Sequence, residues 1–155
     1  MLLVTGLDSV AAPFVVVNFA SPDVAYACLQ EFVSKHLKSL YQRDNSVVLH
    51  EHLAILAHLI VFHDPILGRH FHEISFHPNL YAIPWLLTLF THVFPMDKIF
   101  HFWDKVLVGP VGMGFFMALS IVLNFRTKLL EADFNDCKLK AEKKIHHIIS
   151  YHIIS

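Results

Sequence analysis

The sequence predicts an all-α fold. Three observations carry that prediction. Apolar residues recur at spacings of three and four, no stretch keeps the two-residue alternation of a half-buried strand, and Pro, Gly and Asn signals cut the chain into helix-length pieces. A length of 155 residues is one domain's worth. No internal repeat is visible.

The elements follow in order. Leu7 to Val17 is an apolar helix with Pro13 near its middle. Ser21-Pro22-Asp23 is a helix start, with Ser21 as N-cap, Pro22 at the first helical position and Asp23 at the positive dipole end. Cys28, Leu29, Phe32, His36, Leu37 and Leu40 then form its apolar stripe, opposite Gln30, Lys35 and Lys38. Asp44-Asn45-Ser46 is a turn that caps a second helix running through Phe62, which buries Leu49, Leu53, Leu56 and Ile60. Phe62-His63-Asp64-Pro65 ends that helix and starts another.

A looped stretch with Pro78 and Asn79 leads to a mostly apolar helix over Tyr81 to Phe90, with Pro84 in its first turn. Pro95-Met96-Asp97 starts the next helix, whose apolar face is Ile99, Phe100, Phe102, Trp103, Val106 and Leu107 and whose polar face is Lys98, His101 and Lys105. Gly109-Pro110 stops it. Met113 to Leu130 is apolar nearly all round as far as Leu123, as a central core helix is. Trp85, Trp103, Phe90 and Phe94 are the predicted core anchors. Lys138 to Ser155 changes character, with four Lys in seven residues followed by Ile and His runs, so the chain divides into a helical domain over residues 1–137 and a divergent tail over 138–155.

Composition excludes several classes. Hydrophobic residues make up 55% and charged residues 16%, against a usual charged share of about 25%. That much apolar surface offsets ordering entropy, so the chain is not intrinsically disordered. Five Gly and two Cys exclude collagen-like and disulfide-scaffold classes. Twelve Lys and Arg against thirteen Asp and Glu leave no basic footprint for nucleic acid. Cys28 and Cys137 have no CxxC partner and carry no metal or redox signal. The N-terminus lacks Lys and Arg before Lys35, and Asp8 interrupts its apolar run, so it is a poor secretory signal.

Two runs lack Asp, Glu, Lys and Arg: Ile74 to Met96 and Val106 to Phe125. Each reaches the roughly 20 residues that a membrane-spanning helix needs. Pro78, Pro84 and Pro95 break the first, and Gly109, Pro110, Gly112 and Gly114 break the second, so buried helices are expected instead of spans. A small helical membrane protein stays as an alternative.

Chemistry is sparse. His50 and His52, like His70 and His72, are two apart, which places them about 200° apart on a helix and unable to share a metal. His70, His72 and His77 around Glu73 lack an HExxH pattern or Cys partner. The histidines are read as scattered core and surface residues, and no metal or cofactor is expected. Gly109-Pro110-Val111-Gly112-Met113-Gly114 follows a helix and not a strand, so it is a loop and not a phosphate cradle. No GxSxG or P-loop occurs.

One string is specific as a whole. Tyr81-Ala82-Ile83-Pro84-Trp85-Leu86-Leu87-Thr88-Leu89-Phe90-Thr91-His92-Val93-Phe94-Pro95 runs into Ile99-Phe100-His101-Phe102-Trp103-Asp104, with Leu107 and Gly109 next. A Trp leading a helix, a Phe-Pro corner and a Trp-Asp pair before Leu and Gly resemble the C-terminal half of the TBC domain, the all-helical module that activates Rab-type GTPases. Pro84, Trp85, Phe94, Pro95, Trp103, Asp104 and Gly109 are the motif positions. Gly6-Leu7-Asp8-Ser9, Ala12-Pro13-Phe14, Asn18-Phe19, Ala25-Tyr26-Ala27-Cys28, Asp44-Asn45-Ser46 and Phe62-His63-Asp64-Pro65 extend the resemblance from about Gly6 to Cys137.

The resemblance implies a regulator of small GTPases in membrane traffic, with a Rab-family GTPase as partner. Such domains supply an arginine finger from an IxxDxxR motif and a glutamine from a YxQ motif. The guanidinium neutralises charge that builds on the phosphate oxygens, an effect of about 10³ to 10⁵ in rate. This chain departs from that pattern. Leu3-Val4-Thr5 stands at the YxQ positions, so Thr5 occupies the glutamine position, and none of Arg43, Arg69 and Arg126 lies in an IxxDxxR context. The arginine motif is expected upstream of Met1. Thr5, Gly6 and Asp8 are then the GTPase-contact candidates.

The resulting expectation is a TBC-domain portion that is catalytically incompetent alone. The alternative is a non-catalytic helical module that holds a GTPase or other partner. Localisation is expected to be cytoplasmic, with endomembrane association only through partners. Without the N-terminal helices of such a domain, exposed apolar surface favours self-association.

Overall fold

A computed structural model describes residues 6–42 and 44–133 of the chain. Thr5, Arg43, Cys137 and the tail from Lys138 to Ser155 lie outside the described residues. Among the described residues there is no strand.

Eight α-helices are described: α1 Leu7–Val17, α2 Pro22–Phe32, α3 Ser46–His63, α4 Pro65–Glu73, α5 Ile83–Thr88, α6 Met96–Val108, α7 Met113–Asn124 and α8 Arg126–Leu130. A π-helical turn, Val33–Leu37, extends α2, and a 3₁₀ turn, Pro78–Leu80, precedes α5. The topology brings α1 against α2, α5 and α6, and α3 against α4, α5 and α7.

One continuous core runs through the molecule. Leu53, Leu56 and Ile60 of α3 enter it, as do Leu67 and Phe71 of α4 and Ile99, Phe102, Trp103 and Val106 of α6. The four predicted anchors are all buried, and Phe90 is sealed completely. Aromatic rings chain together from Phe71 through Phe76, Tyr81, Trp85, Phe90 and Phe102 to Phe94, each pair within 5.6 Å centroid to centroid. Such pairs add about 0.5–1.5 kcal/mol each beyond their area burial.

Several details depart from the sequence reading. Ser21 sits at the N-cap of α2, but its side chain caps nothing. Its backbone carries the corner instead, donating to the Asn18 carbonyl and accepting from the Ala25 amide. Cys28 is exposed, because the stripe of α2 follows Ala25, Leu29 and Phe32, about 60° to its side. Leu107 is exposed and Phe100 half-buried, since the buried arc of α6 centres on Ile99, Phe102, Trp103 and Val106.

The helix expected over Tyr81 to Phe90 shrinks to α5. Leu89 and Phe90 both take positive φ, 42° and 68°. Their amides turn back onto the Trp85 carbonyl, which ends the helix and swings the Phe90 ring into the core. The single helix expected over Met113 to Leu130 is broken at Phe125. The break lets α8 turn against α4.

Neither uncharged run is a continuous helix. Residues 74–96 contain the 3₁₀ turn, α5 and a Pro corner, and residues 106–125 are cut at Gly109–Gly112. The one described helix long and apolar enough to cross a bilayer is α3. It carries Glu51 and four His, and it packs Leu53, Leu56 and Ile60 into the core.

Candidate functional site

The start of α1 is built as a fixed edge. Gly6 precedes the helix with φ 100° and ψ −3°, a left-handed conformation that side chains disfavour. A Cβ on Gly6 would lie 2.7 Å from Cγ2 of Thr88, so the close approach of α5 demands glycine as well. Thr88 is itself held. Its hydroxyl donates to the Pro84 carbonyl at 2.6 Å and accepts from the His92 amide at 3.3 Å. The Thr91 hydroxyl donates to the Thr88 carbonyl at 2.9 Å.

Asp8 is exposed in the first turn of α1, where the helix dipole favours a carboxylate. Tyr41 closes the same corner. Its hydroxyl donates to the Leu87 carbonyl at 2.8 Å. Burial, with a smaller push from the Asp8 charge, raises the phenol to about 12. Gly6, Asp8, Tyr41 and the end of α5 therefore form one junction, with an acidic outer edge and a rigid backing.

The remaining motif positions serve other purposes. Trp85 and Phe94 belong to the aromatic chain. Pro95 is the N-cap of α6, and its extended ψ of 152° turns the Phe-Pro corner. Trp103 stacks on Phe32 at 4.3 Å and donates from Nε1 to the Leu89 carbonyl at 3.0 Å. That bond satisfies a carbonyl inside the left-handed turn. Gly109 is hemmed in, because a Cβ would meet the Lys105 carbonyl at 2.6 Å and Met113 Cε at 2.7 Å. Asp104 is exposed on α6 and makes no hydrogen bond or ion pair among the described residues. Pro84 reaches the α1 junction through Thr88, while the others shape the scaffold behind it.

Sequence reasoning missed Tyr41, Thr88 and a second polar anchor. Asp64 is 8% exposed and caps α4 by accepting from the Leu67 amide at 3.0 Å. Its other carboxylate oxygen accepts from Nε of Arg126. Burial pushes this carboxyl up, but the Leu67 amide and the Arg126 guanidinium outweigh it and hold it below the usual carboxylate range. The Asp64-Pro65 pair signalled the cap, whereas nothing local marks a partner 62 positions away.

Three histidines bond to backbone carbonyls. Nδ1 of His50 and of His52 bonds to the carbonyl one turn back, at 2.8 Å each, and Nε2 of His70 donates to the Ala132 carbonyl at 3.1 Å. No group of three or more His, Cys, Asp or Glu suited to a metal occurs among the described residues.

The comparisons with known proteins agree with this architecture. The family model for the Rab-GTPase-TBC domain matches residues 4–130. The TBC domain-containing protein kinase-like protein of Homo sapiens is 48% identical over 134 residues, 86% of this chain and 15% of that protein. Its Dictyostelium discoideum counterpart is 41% identical over 131 residues, 84% of this chain and 13% of that protein. The crystal structure of the Ypt/Rab-GAP domain of Gyp1p superposes with a TM-score of 0.78 at 17% identity, covering 95% of this chain and 57% of that chain. This last likeness concerns the fold. The chain thus spans about one-seventh of the length of the relatives it matches.

Proposed function

The chain belongs to the Rab-GTPase-TBC domain family, and we propose that it presents the Gly6–Asp8 edge of α1 to a Rab-type small GTPase. The observation that carries this reading is the junction itself. In the family pattern a glutamine-bearing motif runs directly into the glycine at position 6, and here that glycine is wedged against Thr88 with Asp8 exposed beside it. That edge is backed by α5, which the Tyr41 and Trp103 bonds hold at Leu87 and Leu89.

The chain by itself binds without accelerating hydrolysis. Thr5 stands at the glutamine position, and its short hydroxyl cannot orient an attacking water as an amide does. No arginine in these 155 residues lies in an IxxDxxR context. Arg126 is moreover engaged by Asp64. Since an arginine finger supplies about 10³ to 10⁵ in rate, its absence is decisive. Membrane association runs through the GTPase, in the cytoplasm, and alkaline carbonate releases the chain from membranes.

Single-turnover hydrolysis by a panel of GTP-loaded Rabs with saturating chain tests the catalytic half of the proposal. Hydrolysis stays at the intrinsic rate; a hundredfold acceleration by the isolated chain would sink it. Pull-down with GTP-locked Rabs tests the binding half. At least one member is retained, and Asp8→Lys lowers that retention. If no member is retained, the GTPase-facing assignment of the α1 edge is wrong.

A further inference from the structure

Helices α6 and α7 also line a surface groove of about 160 Å³, none of whose lining residues belongs to the α1 junction. Its floor is apolar, made by Phe94, Phe102, Met117 and Ile121. One wall carries the cations Lys98 and Lys105 of α6, with His101 between them. Their spacing of three and four places them in one row along the helix, next to the buried arc. The other wall is Ser120 and Asn124 of α7, neutral and polar. Asn124 donates to the Ser120 carbonyl at 2.8 Å, which leaves its side-chain oxygen to accept a further bond.

The charges on this rim are unbalanced. Asp97 lies 3.9 Å from the Lys98 ammonium, a loose contact on an exposed carboxylate. Asp104 is the other acid of α6, and helix geometry sets both acids beyond His101 on the outer side, away from the groove. Lys105 makes no ion pair among the described residues.

We infer that the α6–α7 groove is a docking site for an acidic amphipathic helix of a partner protein, which seats one apolar side chain on the floor and sets carboxylates against Lys98 and Lys105. Volume and charge argue for that occupant. Pockets that hold drug-sized ligands measure about 300–1,000 Å³. This groove is smaller, which suits a single anchoring side chain. A helix laid in a groove places such anchors at i, i+3, i+4 and i+7, and a cationic wall favours acids on its flank. The chain's own tail is a poor occupant, because residues 138–155 carry four Lys and one Glu. The inference is independent of the GTPase reading, since it concerns other residues and a different ligand.

The test is fluorescence polarisation of the full 155-residue chain with three labelled peptides. The first places Leu at i, i+3, i+4 and i+7 with Glu elsewhere, the second replaces Glu by Lys, and the third replaces Leu by Ser. The first binds and the other two do not. Lys98→Glu with Lys105→Glu weakens the acidic peptide by about tenfold or more and transfers preference to the basic one. Ser120→Trp fills the mouth without changing charge, and abolishes binding of the acidic peptide. Circular dichroism melts confirm that each variant folds as the parent does. Equal binding of acidic and basic peptides, or binding indifferent to these variants, overturns the proposal. So does a failure of all three peptides to bind, or a preference for phosphatidylserine vesicles over the acidic peptide.

Discussion

At the residue scale, two side chains carry more than their size. Trp103 is 3% exposed, stacks on Phe32 and bonds the Leu89 carbonyl. Trp103→Ala is expected to cost about 3–5 kcal/mol through lost packing. Trp103→Phe keeps most of the ring contact but leaves that carbonyl unpaired, at about 1–3 kcal/mol. Chemical denaturation of the two variants separates packing from hydrogen bonding. Asp64 gives a pH signature. Its folded carboxyl is held below the ordinary range, so its stabilisation is complete above the unfolded value of about 3.9 and is lost as pH falls through the folded value. Asp64→Asn is expected to lower stability at neutral pH by about 1–3 kcal/mol and to flatten the decline below about pH 4. An unchanged acid profile in the variant would show that other carboxylates govern it. Arg126 is 43% exposed, so solvent screening places the effect toward the lower figure.

At the element scale, the contact of α1 with α5 rests on small groups. Gly6→Ala adds a Cβ 2.7 Å from Thr88 Cγ2 and also places a side chain at φ 100°. Both effects act together, and a loss of about 1–3 kcal/mol is expected, with α1 displaced from α5. Tyr41→Phe removes the bond to Leu87 and costs about 1 kcal/mol. Hydrogen exchange of amides 7–12 reports both changes: faster exchange in each variant with unchanged rates in α3 confirms a local junction. Raising pH gives a consistent sign. Tyr41's phenol is held near 12 in the fold, so its contribution is complete below the unfolded value of about 10 and is lost as pH rises through the folded value.

At the scale of the whole molecule, much apolar surface stays open. Val15, Val16, Val17 and Phe19 at the end of α1 are 52%, 54%, 67% and 86% exposed, and Phe62 at the end of α3 is 80% exposed. Exposed apolar side chains of this number favour association or aggregation. The chain also covers 57% of the Gyp1p Rab-GAP domain. The isolated chain is expected to self-associate as concentration rises, measured by sedimentation velocity, and Val16→Lys with Phe19→Lys is expected to shift it toward monomer. A thermal melt followed by far-UV circular dichroism gives the companion result. One cooperative helical transition shows a unit that folds alone, whereas a broad transition with aggregation shows one that needs further helices.

Local chemistry was enough to read the all-α class, the order of the helices and the four aromatic anchors. Amphipathic periodicity and Pro or Gly punctuation act over a few residues, and they placed the starts at Pro22, Ser46, Pro65 and Met96. The motif string from Tyr81 to Gly109 was legible through its resemblance to the TBC domain, not through local periodicity. Tertiary structure decided the rest. Helix α5 ends early because Phe90 is drawn into the core, and the break at Phe125 lets α8 reach α4. Cys28 faces solvent because the stripe beside it makes the contact. The junction of Gly6, Thr88 and Tyr41 joins residues scattered over more than half the chain, and Asp64 meets Arg126 across 62 positions. Pairings of that kind depend on which helices lie side by side, a property of the packed molecule that no local pattern encodes.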